Sequence, residues 1–346
     1  MKRKLMTLIG IMLVISIAAS ALISLFGNNG IASTEGKDKL QVMTTFYPIY
    51  MIGQNLADGI DDIEIKNLTD LNTGCLHDYQ LTTEDMKNIS ESDLLIVNGG
   101  GMEGFLSDVR ENYPGLDIID ASNGITMLPT GNGAGENDNY NSGITTSDAP
   151  VGAEQKEGAW NAHVWLDPEL YIRQIENVRD GILAYIEMDR PNSKELEQSI
   201  RANAQAYIDQ VTKVSSEITD YSKKYTSDTL NQSKSSRKVI IFHDSFAYLA
   251  NRIGMSVAYS VPLDSDTSLS AGEIAEIVQE AKKDQIRYLF TEEQFSDSIA
   301  KQIAEETGAK VYIIDSAVTG DGVKDSYLRA MEANLAVIEN AEAGGQ

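Results

Sequence analysis

Apolar residues recur along the chain in two rhythms. Short β-branched runs at 40–45, 63–68, 94–98 and 117–120 predict strands, and segments with a helical spacing at 50–57 and 83–89 predict helices between them. Thr82 stands before the second helix as an N-cap, with Asp85 three residues on. The alternation returns later, with strands expected at 238–242, 256–259, 286–291 and 311–314. Helices are expected there at 245–253, 271–284, 296–307 and 324–340, and Gly254 and Gly308 sit where helix C-caps belong. Repeated β–α alternation predicts parallel sheets with helices on both faces.

Between the two alternating halves lie helical patterns of unusual length. One runs from Pro168 to about residue 186. The next covers 193–225, where Leu196, Ile200, Ala204, Tyr207, Val211, Val214, Ile218 and Tyr221 step by threes and fours. At helical rise this second segment is about 50 Å long, a backbone for two domains rather than a helix of one. The fold class expected is therefore α/β: two similar lobes, each a parallel sheet flanked by helices, joined by one long α-helix, with a ligand cleft between them. The boundaries expected are 39–190 for the first lobe, 193–225 for the linking helix and 237–346 for the second lobe.

Three segments stand outside this pattern. Residues 128–161 are rich in Gly, Asn, Ser, Thr and Asp without apolar periodicity, which predicts a mobile surface insertion. Its acidic residues, Glu136, Asp138, Asp148, Glu154 and Glu157, read either as a solvated loop or as a weak collector of cations. Residues 227–236 read as a polar linker. At the N-terminus, Lys2, Arg3 and Lys4 precede an uncharged, mostly apolar run over 5–26. That is the pattern of a secretory signal, and it is also long enough to stay as an uncut anchor. Residues 1–32 are expected to be one or the other, with Gly30-Ile31-Ala32 the better placed of two small-residue cleavage sequences. No cysteine lies near the end of the run, so attachment as a lipoprotein is not expected. Either way the rest of the chain is expected outside the cytoplasmic membrane, in a periplasm or on the cell surface. Membrane contact is expected only through residues 5–26.

Composition narrows the function. The 346 residues carry 28 Lys+Arg against 52 Asp+Glu, a formal charge of −24. That argues against nucleic acid, whose phosphates need clustered cations, and against binding to anionic lipid. A single cysteine excludes an internal disulfide framework and a multi-cysteine zinc ribbon. With only three histidines, the place of each is informative. His77 lies just before a predicted helix, His163 ends the long polar segment, and His243 follows the strand at 238–242. Asp315 follows the strand at 311–314 in the same way. Ligands of parallel α/β sheets bind beyond the carboxyl ends of the strands, so convergence of these four residues would place four ligands in the cleft between the halves. Three neutral imidazoles and a carboxylate suit Zn²⁺, and Mn²⁺ stays open. Taken singly, each histidine reads first as a structural hydrogen-bonder and only second as a ligand, since neither an HExxH nor a CxxC motif ties any of them to a metal.

The ordered segments change that balance. Thr44-Thr45-Phe46-Tyr47-Pro48-Ile49, Gly74-Cys75-Leu76-His77-Asp78-Tyr79, and Asp93 to Gly99 with Glu103 run in sequence. Trp160 to Pro168, Phe242-His243-Asp244-Ser245-Phe246, Thr291-Glu292-Glu293-Gln294-Phe295-Ser296 and Thr307 to Val311 follow. Together, across nearly the whole chain beyond residue 40, they resemble the metal-binding solute receptors of zinc and manganese ABC transporters. The resemblance implies two α/β lobes joined by a rigid helix. It also implies a metal between them held by His77, His163, His243 and Asp315, and delivery to a membrane permease. A histidine at the third ligand position is similar to zinc-type members; many manganese-type members carry a carboxylate there. The chain is then expected to be a monomer and not an enzyme.

Three departures accompany the resemblance. The segment before His163 has no histidine, unlike the histidine-rich loops of many zinc receptors. The lipoprotein cysteine is missing. Cys75 stands two residues before His77, where it reads either as a small buried residue or as a thiolate near the metal. Competing functions are a manganese receptor, a surface adhesin, and a zinc hydrolase with Glu292 or Glu293 as general base. Against the hydrolase stand Asp315, which would close the fourth position, and the lack of a nucleophile or oxyanion motif.

Overall fold

Among the described residues eight short strands form two sheets of four, and every pairing between these strands is parallel. The computed structural model describes residues 39–130, 160–228, 237–261, 269–292 and 298–343. The N-terminal segment 1–32, most of the polar insertion, most of the linker at 227–236 and Glu293 lie outside the described residues. Among the described residues no helix is long and apolar enough to cross a membrane. By its contacts the chain divides after Lys39, and Leu40–Gln346 form one unit.

In the first lobe, β1 (Leu40–Thr44), β2 (Ile63–Asn67), β3 (Leu94–Val97) and β4 (Asp117–Asp120) lie in the order β2-β1-β3-β4. Helices α1 (Tyr47–Leu56), α2 (Thr83–Ser90) and α3 (Leu106–Asn112) connect them. The expected cap of α2 forms as a capping box, with Thr82 and Asp85 each satisfying the other's backbone N–H. Two long helices follow, α4 (Pro168–Asp189) and α5 (Lys194–Asp228). All eight apolar positions that define the stripe on α5 are buried.

The second lobe repeats the first. Strands β5 (Lys238–Ile241), β6 (Ser256–Ser260), β7 (Tyr288–Thr291) and β8 (Lys310–Ile313) take the order β6-β5-β7-β8. Helices α6 (Phe246–Arg252), α7 (Ala271–Lys283), α8 (Ser298–Thr307) and α9 (Ser326–Ala343) flank them. Gly254 and Gly308 end α6 and α8 at φ of 73° and 77°, the left-handed conformation that favours glycine.

The strand alternation divides the second sheet between two cores. Val239, Ile241, Tyr288 and Phe290 join the large core that also contains the first sheet and the buried faces of α4 and α5. Ile240, Phe242 and Leu289 face a smaller core with α7 and α8. In each sheet the chain order reverses between the two central strands, β1 and β3 or β5 and β7. The carboxyl ends of such strands open the crevice where ligands bind.

Candidate metal centre

His243 and Asp315 each lie two residues beyond a strand, His163 stands just before a helical turn, and His77 lies within the loop between β2 and α2. His243 lies two residues after β5, and Glu292 directly follows β7, so the two meet at the reversal point of the second sheet. His243 Nδ1 is 2.5 Å from Glu292 Oε1. A carboxylate accepts only, so Nδ1 carries a proton and Nε2 is the ring nitrogen left for a metal, which must displace any proton held there. Glu292 is buried, and the hydroxyls of Ser245 and Ser316 donate to its two oxygens at 3.1 and 3.0 Å.

His163 caps a single 3-10 turn, Val164–Leu166, that leads into α4. Its orientation is set by Asn161. Asn161 Oδ1 accepts from the His163 backbone N–H at 3.0 Å and lies 2.8 Å from Nδ1, while its amide nitrogen donates to Asp244 O. The backbone donor identifies Oδ1 as the oxygen, so Nδ1 must donate to it. His163 Nε2 is thereby left to face a metal. Asn98 Nδ2 holds the preceding carbonyl, Ala162 O, at 3.0 Å. The Trp165 ring packs beside His163 at 5.1 Å between centroids, and its Nε1 donates to Ser316 O.

His77 is exposed on the loop between β2 and α2, with Nε2 3.3 Å from His163 Nε2. Two nitrogens bound to one tetrahedral zinc stand about 3.3 Å apart, so this spacing fits a shared metal. Cys75, on the same loop and partly buried, places its sulfur 3.5 Å from His163 Nε2. Cys75, His163 and His243 present ligand atoms that all lie within 4.8 Å of one another. His77 touches this group through His163. Asp315, expected as the fourth ligand, is exposed and lies outside the group; its Oδ1 accepts from Ala317 N at 2.8 Å in a local turn.

Electrostatics separates the two buried imidazoles. Burial, and then His243 and His77, hold His163 well below the ordinary histidine value. It stays neutral, as a ligand must. Burial also pushes His243 down, but the Cys75 sulfur and the Glu292 carboxylate outweigh it and hold the ring well above its usual range.

Two supporting residues escaped the sequence reading. Asn161 gave one signal, its place two residues before His163. Glu292 was noted, but as a base rather than as the partner of His243.

The comparisons with known proteins agree with this architecture. The zinc-binding lipoprotein AdcA of Streptococcus pneumoniae is 26% identical over 332 residues, covering 94% of this chain and 60% of that protein. The chain thus spans less than two thirds of the curated relatives it matches first. The high-affinity zinc uptake system protein ZnuA of Bacillus subtilis is 26% identical over 336 residues, covering 94% of this chain and 95% of that one. The substrate-binding protein FpvC of Pseudomonas aeruginosa, solved with Mn²⁺, superposes with a TM-score of 0.68 at 20% identity. It covers 89% of this chain and 100% of its own, a likeness of fold. Residues 42–341 match the family described as ZnuA, zinc-uptake complex component A, periplasmic, and the chain belongs to that family.

Proposed function

We propose that this protein captures a divalent transition metal, zinc foremost, outside the cytoplasmic membrane and hands it to an ABC permease. The observation that carries the reading is the pair of buried histidines from opposite lobes, each with Nδ1 engaged and Nε2 turned toward the other donors. Such second-partner bonds fix the tautomer and orient imidazoles for metal. His77, His163 and His243 supply the nitrogens. Membership of an uptake family, the export-type segment at the N-terminus and the strongly acidic charge agree with extracytoplasmic capture of a cation. Of the two bases that a hydrolytic reading offered, Glu292 is engaged instead, buried against His243 and two serines.

The test is metal content. The full-length protein is stripped with chelator, offered equimolar Zn²⁺ and Mn²⁺, desalted and analysed for bound metal. One zinc per chain is expected, and none in His163→Ala. Manganese retained against zinc moves the assignment to manganese uptake, and no retained metal sinks the receptor.

A further inference from the structure

The receptor reading supplies three nitrogens and leaves one donor of a closed tetrahedral site to be named; the inference here rests on that reading. A zinc site without catalytic duty is filled at all four positions. Asp315, in the expected place, has its Oδ1 accepting from the Ala317 N–H and lies outside the ligand group. Cys75 lies inside it. Its sulfur is 3.5 Å from His163 Nε2, and it completes the set with His163 and His243. Bonds of about 2.3 Å to sulfur and about 2.05 Å to nitrogen around one tetrahedral zinc place those two atoms about 3.6 Å apart. Two separations, sulfur to nitrogen and the 3.3 Å between His77 and His163, therefore agree with a single ion.

We propose that Cys75 is a ligand of the captured metal and that its sulfur sets the choice among metals. As the metal enters, the sulfur–metal bond forms and the thiol proton leaves to water. His77 stands two residues further along the same loop, so one loop delivers two donors. A soft sulfur favours zinc over manganese, which prefers oxygen. An all-nitrogen-and-oxygen site discriminates less.

Cobalt makes the proposal visible. Chelator-stripped full-length protein, kept reduced with a thiol-free phosphine, is titrated with Co²⁺ and followed by absorption. Bands in the visible report cobalt in a low-symmetry protein site, and a strong near-ultraviolet band reports charge transfer from thiolate sulfur. Because the chain has one cysteine, the second band has one source. Both bands are expected in the wild type. In Cys75→Ser the near-ultraviolet band should vanish while the visible bands persist. Zinc affinity in that variant should fall by more than the ~10–100-fold that loss of an outer-shell partner costs. Manganese affinity should change far less. Visible bands without the near-ultraviolet band in the wild type overturn the role of Cys75 and leave the receptor standing. Absence of both overturns the two readings together. The wild-type spectrum decides even if the variant fails to fold.

Discussion

At the residue scale, the site is made by the partners of the histidines as much as by the histidines. Glu292 accepts from His243 Nδ1, Ser245 Oγ and Ser316 Oγ, and Asn161 Oδ1 accepts twice from His163. A glutamine at 292 keeps an amide oxygen for His243 and Ser245, and its NH₂ finds the Ser316 hydroxyl ready to accept. Glu292→Gln therefore preserves the packing and removes only the charge that makes the imidazole a stronger donor. Its zinc affinity is expected to drop by ~10-fold or more, at unchanged stoichiometry, in competition with a chromophoric chelator. An affinity equal to the wild type would remove Glu292 from the metal's outer shell. The histidines were legible in the sequence because they were so few and stood at strand or loop ends. Asn161 was not, since an asparagine beside a polar insertion looks like any loop residue until its oxygen is seen between two donors.

At the element scale, the first sheet is tied at its reversal point by a buried carboxylate. Glu103 Oε1 accepts from Thr45 Oγ1 and from Asn98 N, both at 2.7 Å, and Oε2 accepts from Gly99 N at 3.1 Å. It thereby joins the ends of β1 and β3, and Asn98 passes the constraint on to Ala162 and the His163 segment. Burial, against those hydrogen bonds, pushes the Glu103 carboxyl up to about 7 from 4.5. The folded protein then holds a proton that the unfolded chain has released between those values. The contribution is full below about pH 4.5 and is lost as pH rises through about 7, at up to a few kcal/mol. Urea unfolding of the metal-free protein across that window should show the decline, flattened in Glu103→Gln; equal slopes in both proteins would refute it. The strands and the long helices were legible from their rhythm. Helix α3 was not, because Val109 is its one buried residue and seven residues leave no period to detect. The 3-10 turn that carries His163 is shorter still. Its three residues, Val164, Trp165 and Leu166, are all buried, so tertiary packing rather than local propensity makes it.

At the scale of the whole molecule, the lobes share a core and are pinned across the cleft. Trp165, from the first half, donates to Ser316 O and accepts at its carbonyl from Tyr327 OH at 2.7 Å. Tyr47 OH meets Ser326 Oγ at 2.7 Å, Asn55 donates to Lys324 O at 2.9 Å, and Tyr248 OH donates to Asn161 O at 2.7 Å. Arg252 reaches Glu169 at 2.6 Å, and Lys324 pairs with Asp58. Beneath these bonds the large core runs without a break from the first sheet through α4 and α5 to one face of the second sheet. Closing such a molecule by a hinge would break packed contacts and buried hydrogen bonds on both sides, and interiors this dense do not deform continuously. Metal capture is therefore expected to proceed by local movement of the loop that carries Cys75 and exposed His77, with the lobes fixed. Small-angle scattering should give one radius of gyration for the chelator-stripped and the zinc-loaded protein. Heating should unfold residues 40–346 in one cooperative step that zinc moves upward, since an ion bound only by the folded form adds to its stability. A contraction on loading, or two separate steps of which zinc shifts one, would mean that the shared core does not couple the lobes.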